Sequence, residues 1–212
     1  KHYTTQIKVC LIIFVLAAFL GVLLRSSHLV SLPFNYRYLT HAHSHIALLG
    51  WAYLVIFVFV VRFYLGNQRN LRRLFWVTQL AVTSMFVSFP FQGYALFSII
   101  FSTLHIFCSY AFFALSRKKL KKINTPSSLL LLTGLYFMLL STLGVWALPV
   151  TMSIWGDGST AYQIAIQFFL HFQFNGWFWL AIIGMLFYYF EQSGGSFPSK
   201  RFKTFYLLSI AG

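Results

Sequence analysis

Between residues 5 and 24 the chain carries a single charge, Lys8. Five further runs of the same apolar kind follow, at about 39–64, 74–91, 94–116, 128–150 and 161–190, and another opens near Phe205. About 20 apolar residues of α-helix cross the hydrocarbon core of a bilayer, where a helix satisfies its own backbone hydrogen bonds. These lengths imply an all-α, polytopic membrane helix bundle of six complete transmembrane helices plus the start of a seventh. The short turn at 89–93 makes the third and fourth helices antiparallel neighbours, and Pro149 with Gly156-Asp157-Gly158 separates the fifth from the sixth. No internal repeat is evident and no linker divides the chain, so 1–212 is expected to form one transmembrane domain, as a fragment of a longer membrane protein.

Charge supports the same class. Only 8% of residues are charged, against about 25% in soluble domains. Asp157 and Glu191 are the only acids in a chain of net charge +14. In a soluble protein that excess would suggest nucleic acid; here it follows the loops, and no nucleic-acid partner is expected. Fourteen of the sixteen Lys and Arg residues lie at the N-terminus or after the second, fourth and sixth helices, leaving Arg25 and Arg37 for the other side. The positive-inside rule then places the N-terminus in the cytoplasm, with helices 2, 4 and 6 entering from the outer face of a bacterial inner (plasma) membrane. No A-x-A-like cleavage site follows the first segment, which therefore reads as a spanning helix. Cys10 and Cys108 lie in apolar runs without C-x-x-C spacing, so neither a disulfide framework nor a zinc knuckle is implied.

Polar residues inside the apolar runs carry the functional signal. The stretch YLTHAHSHIALLGW, residues 38–51, holds His41, His43 and His45 at the mouth of helix 2. Imidazoles are costly in lipid without a partner, so three in five residues point to a metal or a metal-bearing cofactor. His41 and His45 share a helix face and His43 points elsewhere. Gln163, Gln167, His171 and Asn175 form a stripe on helix 6, and Ser98, Ser102, His105 and Ser109 form another on helix 4. His45, His105 and His171 are expected to approach one region in the outer half of the membrane. For His105 the other reading is a hydrogen bond to a neighbouring helix. The 21% aromatic content suits a cofactor or quinone cavity, and equally ordinary packing. Neutral imidazole suits zinc, copper and iron. A zinc hydrolase needs a general base, and no acid lies within any span. Heme needs axial ligands and an apolar pocket, so heme fits best, with a histidine-bound copper or iron beside it.

His43-Ser44-His45-Ile46-Ala47-Leu48-Leu49-Gly50-Trp51 resembles the start of helix 2 in the heme-copper oxidase superfamily, subunit I, closest to its nitric-oxide-reductase-like and stand-alone branches. The resemblance implies that His45 is an axial ligand of heme b, with His43 and His41 as fallbacks; the polar stripe of helix 4 adds His105 as a further cofactor-binding candidate. His171-Phe172-Gln173-Phe174-Asn175-Gly176-Trp177-Phe178-Trp179 is similar to the helix 6 motif of the reductases. It implies that His171 is a ligand of a non-heme metal, copper or iron; a second heme is the other cofactor expected. Asn175 and Trp179 stand where the reductases carry glutamates, and the tyrosine that common oxidases place at the Asn175 position is absent. The family's remaining ligands come from helices 7 and 10, expected beyond residue 212.

The resemblance implies a membrane oxidoreductase of heme-copper type, transferring electrons to dioxygen or nitric oxide from a redox partner subunit or a quinol or cytochrome donor. Two other readings use the same residues. One is a non-catalytic heme or metal carrier, sensor or assembly factor; the other is a membrane transporter whose polar stripes line a path.

Overall fold

The computed structural model describes residues 2–31 and 33–211, and among them no strand occurs. The helices are α1 (His2–Ser26), α2 (Tyr36–Leu65), α3 (Arg69–Gln92), α4 (Leu96–Ile123), α5 (Pro126–Trp155), α6 (Thr160–Gln192) and α7 (Ser199–Ala211). The first six are long and apolar enough to cross a membrane, so the all-α membrane bundle expected from the apolar runs is the fold. Two details differ from expectation. Pro149 does not end α5, nor Pro90 α3; both helices run through their prolines and stop at Gly156 and Gly93. A membrane helix carries an internal proline because only one ladder bond is lost and neighbours make good the freed carbonyl. α7 starts at Ser199, before Phe205, because its opening turns are basic and hydropathy does not register them.

The chain forms two compact units, one reaching to Phe112 and the other beginning at Phe113, with the boundary inside α4. In the first unit α1 buries Gln6, Cys10, Ile13, Ala17 and Leu20, a stripe with 4-3-4-3 spacing. Leu11, Val15, Phe19 and Val22, on its other faces, are exposed. An apolar surface of that extent is covered by lipid, and the chain is an integral membrane protein. The middle of α2 is buried on nearly every side, from Tyr53 to Val61. Its aromatics pack on one another and on neighbouring helices: Phe57 stacks on Phe112 at 4.4 Å and meets Phe75 at 5.9 Å. These rings fill the core of the unit. Cys10 and Cys108 are buried and free.

The second unit is built on the α5–α6 hairpin, whose close approach depends on missing side chains. A Cβ on Gly144 would lie 2.5 Å from the Ala165 carbonyl oxygen, and one on Gly176 would lie 2.6 Å from Phe137 Cβ. Small residues at such crossings let membrane helices pack without a hydrophobic driving force. Thr125 caps α5 in a reciprocal box with Ser128. From the far end of α6, the Glu191 carboxylate accepts the Ser127 amide at 2.9 Å and the Ser127 hydroxyl. It thereby ties the start of α5 to the end of α6 and places a negative charge at a helix N-terminus. Glu191→Ala should cost about 1 kcal/mol, read as a lowered unfolding midpoint in detergent, and an unchanged midpoint would refute this. Tyr206 joins α7 to α5 through Thr133 at 2.6 Å, while Phe205 rests on Phe187 at 5.5 Å.

Candidate histidine site

The three histidines at the head of α2 take two directions. His43 turns to α1: its Nδ1–H donates to the Ala17 carbonyl at 2.9 Å, and its ring lies over Gly21, where a Cβ would come within 3.0 Å of His43 Cε1. This contact clasps α1 to α2. His41 and His45, one turn apart on the opposite side, face the corner between α3 and α4.

At that corner Gly93 has a φ of +60°, and the space of its missing side chain is filled by the Tyr38 ring. Tyr94 follows directly. Its hydroxyl donates to His45 Nε2 at 3.0 Å, and its ring meets that of His41 at 4.6 Å. The His45 ring lies 4.4 Å from Phe89. His45 Nδ1–H donates to the His41 carbonyl, 2.9 Å away and one turn earlier in the same helix. A backbone acceptor on Nδ1 settles the tautomer and aims Nε2 outward as the lone-pair nitrogen, the arrangement of metal-ligating histidines. Tyr94 was not singled out from sequence, where a residue after a short turn reads only as a corner; the Gly93-Tyr94 pair was the available signal.

His105 is buried, at 2% exposure. Its Nε2–H donates to the Leu49 carbonyl at 2.9 Å, and its ring meets Tyr53 edge-on at 4.7 Å. It thus makes the interhelical hydrogen bond weighed above as the alternative to a ligand role. Leu49 lies in Ile46–Ala52, where α2 widens into a π-helix. Such turns displace carbonyls from the regular ladder and recur at functional sites.

His171 belongs to the second unit and is exposed, as are Gln163, Gln167 and Asn175 on the same stripe. The Asn175 side-chain amide donates to His171 Nδ1 at 3.2 Å. Gln173, absent from that stripe, is the buried polar residue here and accepts the Ser141 hydroxyl at 3.0 Å.

One short pattern occurs twice. His45 and His171 each open the pattern H-x-x-x-x-G-W, ending at Trp51 and Trp177. In both cases the residues following the histidine form a π-helical stretch, Ile46–Ala52 and Phe172–Phe178.

Among the described residues no group of three or more His, Cys, Asp or Glu side chains is placed to hold a metal ion. His43 turns away from His41 and His45, whose rings lie 6.5 Å apart on one side of α2. Axial ligation of a planar cofactor requires one imidazole nitrogen, whereas a bare ion requires several ligands. No protein-family model, curated protein or solved structure matches the chain.

Proposed function

We propose that this integral membrane protein binds heme b through His45 and passes electrons toward a small gas, dioxygen or nitric oxide, in the manner of heme-copper oxidase subunit I. The observation that carries the reading is the His45 imidazole, with Nδ1 pinned on the His41 carbonyl and Nε2 directed at an aromatic corner. The residues there fit an axial ligand. Phe89 supports one side of the ring, and Tyr94, about half exposed, holds the nitrogen; heme binding there would require the Tyr94 ring to turn away from Phe89 and His41. Bound heme would supply a one-electron couple at this place; the chain supplies the ligand, its tautomer and an apolar surround. The His41 ring lies beside the site, 6.5 Å from that of His45.

His171 would hold copper, iron or a second heme. Turning over the Asn175 amide would make its oxygen the acceptor of Nδ1–H and free Nε2. The distribution of Lys and Arg supports a cytoplasmic N-terminus in a bacterial plasma membrane. A quinol or cytochrome would be the electron donor.

The test is a reduced-minus-oxidised spectrum of protein expressed with heme in excess. A b-type signal should appear, be lost in His45→Ala and persist in His43→Gln, whose role is to clasp α1. Absence of any heme signal, or its survival in His45→Ala, would overturn the assignment. Tyr94 favours one second reading, a heme carrier, because a hydroxyl that caps Nε2 protects an emptied ligand. A carrier surrenders its heme to excess apomyoglobin, whereas an electron-transfer protein retains it.

A further inference from the structure

In the first unit α3 and α4 enclose a groove of about 480 Å³ close to the turn at Gly93. One wall is a polar stripe on α3, formed by Ser84, Ser88 and Gln92 at successive i, i+4 positions. The other wall is aromatic: Phe97 and Phe101, one turn apart on α4, with Phe91 of α3 beside them. Phe91 and Phe97 are largely exposed, so the groove opens toward hydrocarbon and a ligand enters it from the bilayer.

The polar wall has unused bonding capacity. The Gln92 side-chain nitrogen is buried and has no acceptor among the described residues. The Ser88 hydroxyl reaches only the Met85 carbonyl, at 3.5 Å, which is long for such a bond. Unpaired donors are costly against hydrocarbon, and acyl chains carry no acceptor. Three features narrow the class of ligand. The aromatic wall takes a flat ring. The donors call for acceptor oxygens on that ring. Successive members of the stripe stand about 6 Å apart along the helix, close to the separation of the two opposed oxygens of a para-quinone, whereas a lone ester carbonyl would meet only one of them. Amide and hydroxyl side chains both donate and accept, so they suit the carbonyls of a quinone and the hydroxyls of a quinol alike.

We propose that the α3–α4 groove is a binding site for a lipid-soluble para-quinone. The Gln92 carboxamide turns to donate to one ring oxygen, the Ser88 hydroxyl donates to the other, and the ring rests against Phe97 and Phe101. The groove holds the ring and the start of an isoprenoid tail, and the bilayer takes the rest. Phe89, on the neighbouring face of the same turn of α3, lies 4.4 Å from the His45 ring, so the quinone sits beside the proposed heme ligand. The binding itself needs no heme; only a role as electron donor rests on heme at His45.

The test uses the full-length protein in phosphatidylcholine nanodiscs. An azido-substituted ubiquinone is photolysed on it and the labelled peptide mapped, and equilibrium binding of decylubiquinone is measured beside it. The expected result is label within residues 84–101 that excess decylubiquinone displaces. Binding should weaken about fivefold in Gln92→Leu and in Ser88→Ala, the loss of one neutral hydrogen bond in each. A photoreactive phosphatidylcholine forms the second arm: label in the groove that decylubiquinone does not displace would assign it to acyl chains and overturn the proposal. Azido-quinone label elsewhere, or undiminished binding by both variants, would overturn it too. Mapping and displacement are read on the unaltered chain, so they stand even where a variant fails to fold. None of these readouts detects heme, so failure here and failure of His45 ligation are told apart.

Discussion

Gly144→Ala is expected to destabilise the protein by about 2–3 kcal/mol, the upper part of the range for overpacking a tight contact. The added Cβ would lie 2.5 Å from the Ala165 carbonyl oxygen and 2.8 Å from the Phe169 backbone nitrogen. Both are main-chain atoms of α6 and have no rotamer to escape into, so the two helices must separate. Separation then loosens the whole seam, including the fit of Gly134 under Trp177 and of Gly176 under Phe137. Gly21→Ala is the matched comparison. Its Cβ would meet only the His43 ring, at 3.0 Å from Cε1, and a ring can give by a few tenths of an ångström. That variant should lose about 1 kcal/mol, chiefly by lengthening the His43 bond to Ala17. Denaturant titration in detergent micelles measures both. Equal losses, or the larger loss at Gly21, would refute the claim that backbone contact distinguishes the two crossings.

The membrane class was legible in the apolar runs because spanning a bilayer demands little more than length and an absence of charge. The helix ends were less so. Pro149 and Pro90 read as breaks, yet each sits inside a continuous helix. The basic start of α7 fell below any hydropathy threshold. Helical spacing correctly separated His43 from His41 and His45, since that is a property of one helix. It did not reveal that His43 would find Ala17 and His105 would find Leu49, because those acceptors are chosen by tertiary packing. The π-helical stretches were invisible for a related reason: widening the helix by a residue shifts every later face. The recurrence of H-x-x-x-x-G-W at His45 and His171 is hard to see in the sequence because only three identities carry it.

His105→Ala is expected to cost about 3–4 kcal/mol. Removing the ring leaves the Leu49 carbonyl without its donor in a dry interior, worth about 1–3 kcal/mol. It also opens a void beside Tyr53, where deleted side-chain volume adds to the loss. His105→Gln supplies an amide donor of comparable reach and should recover about half of that cost. The pair of variants separates two roles that one histidine in a membrane helix can have. If His105 only pins the π-helical stretch of α2, stability and heme absorption should fall together in Ala and return together in Gln. If it ligates iron, the Gln variant should regain stability while its heme signal stays lost, because a carboxamide is a poor axial ligand. The first outcome leaves the head of α2 as the ligand source in this unit. The second would require the Leu49 bond to break when the cofactor binds, and the π-helical stretch to rearrange with it.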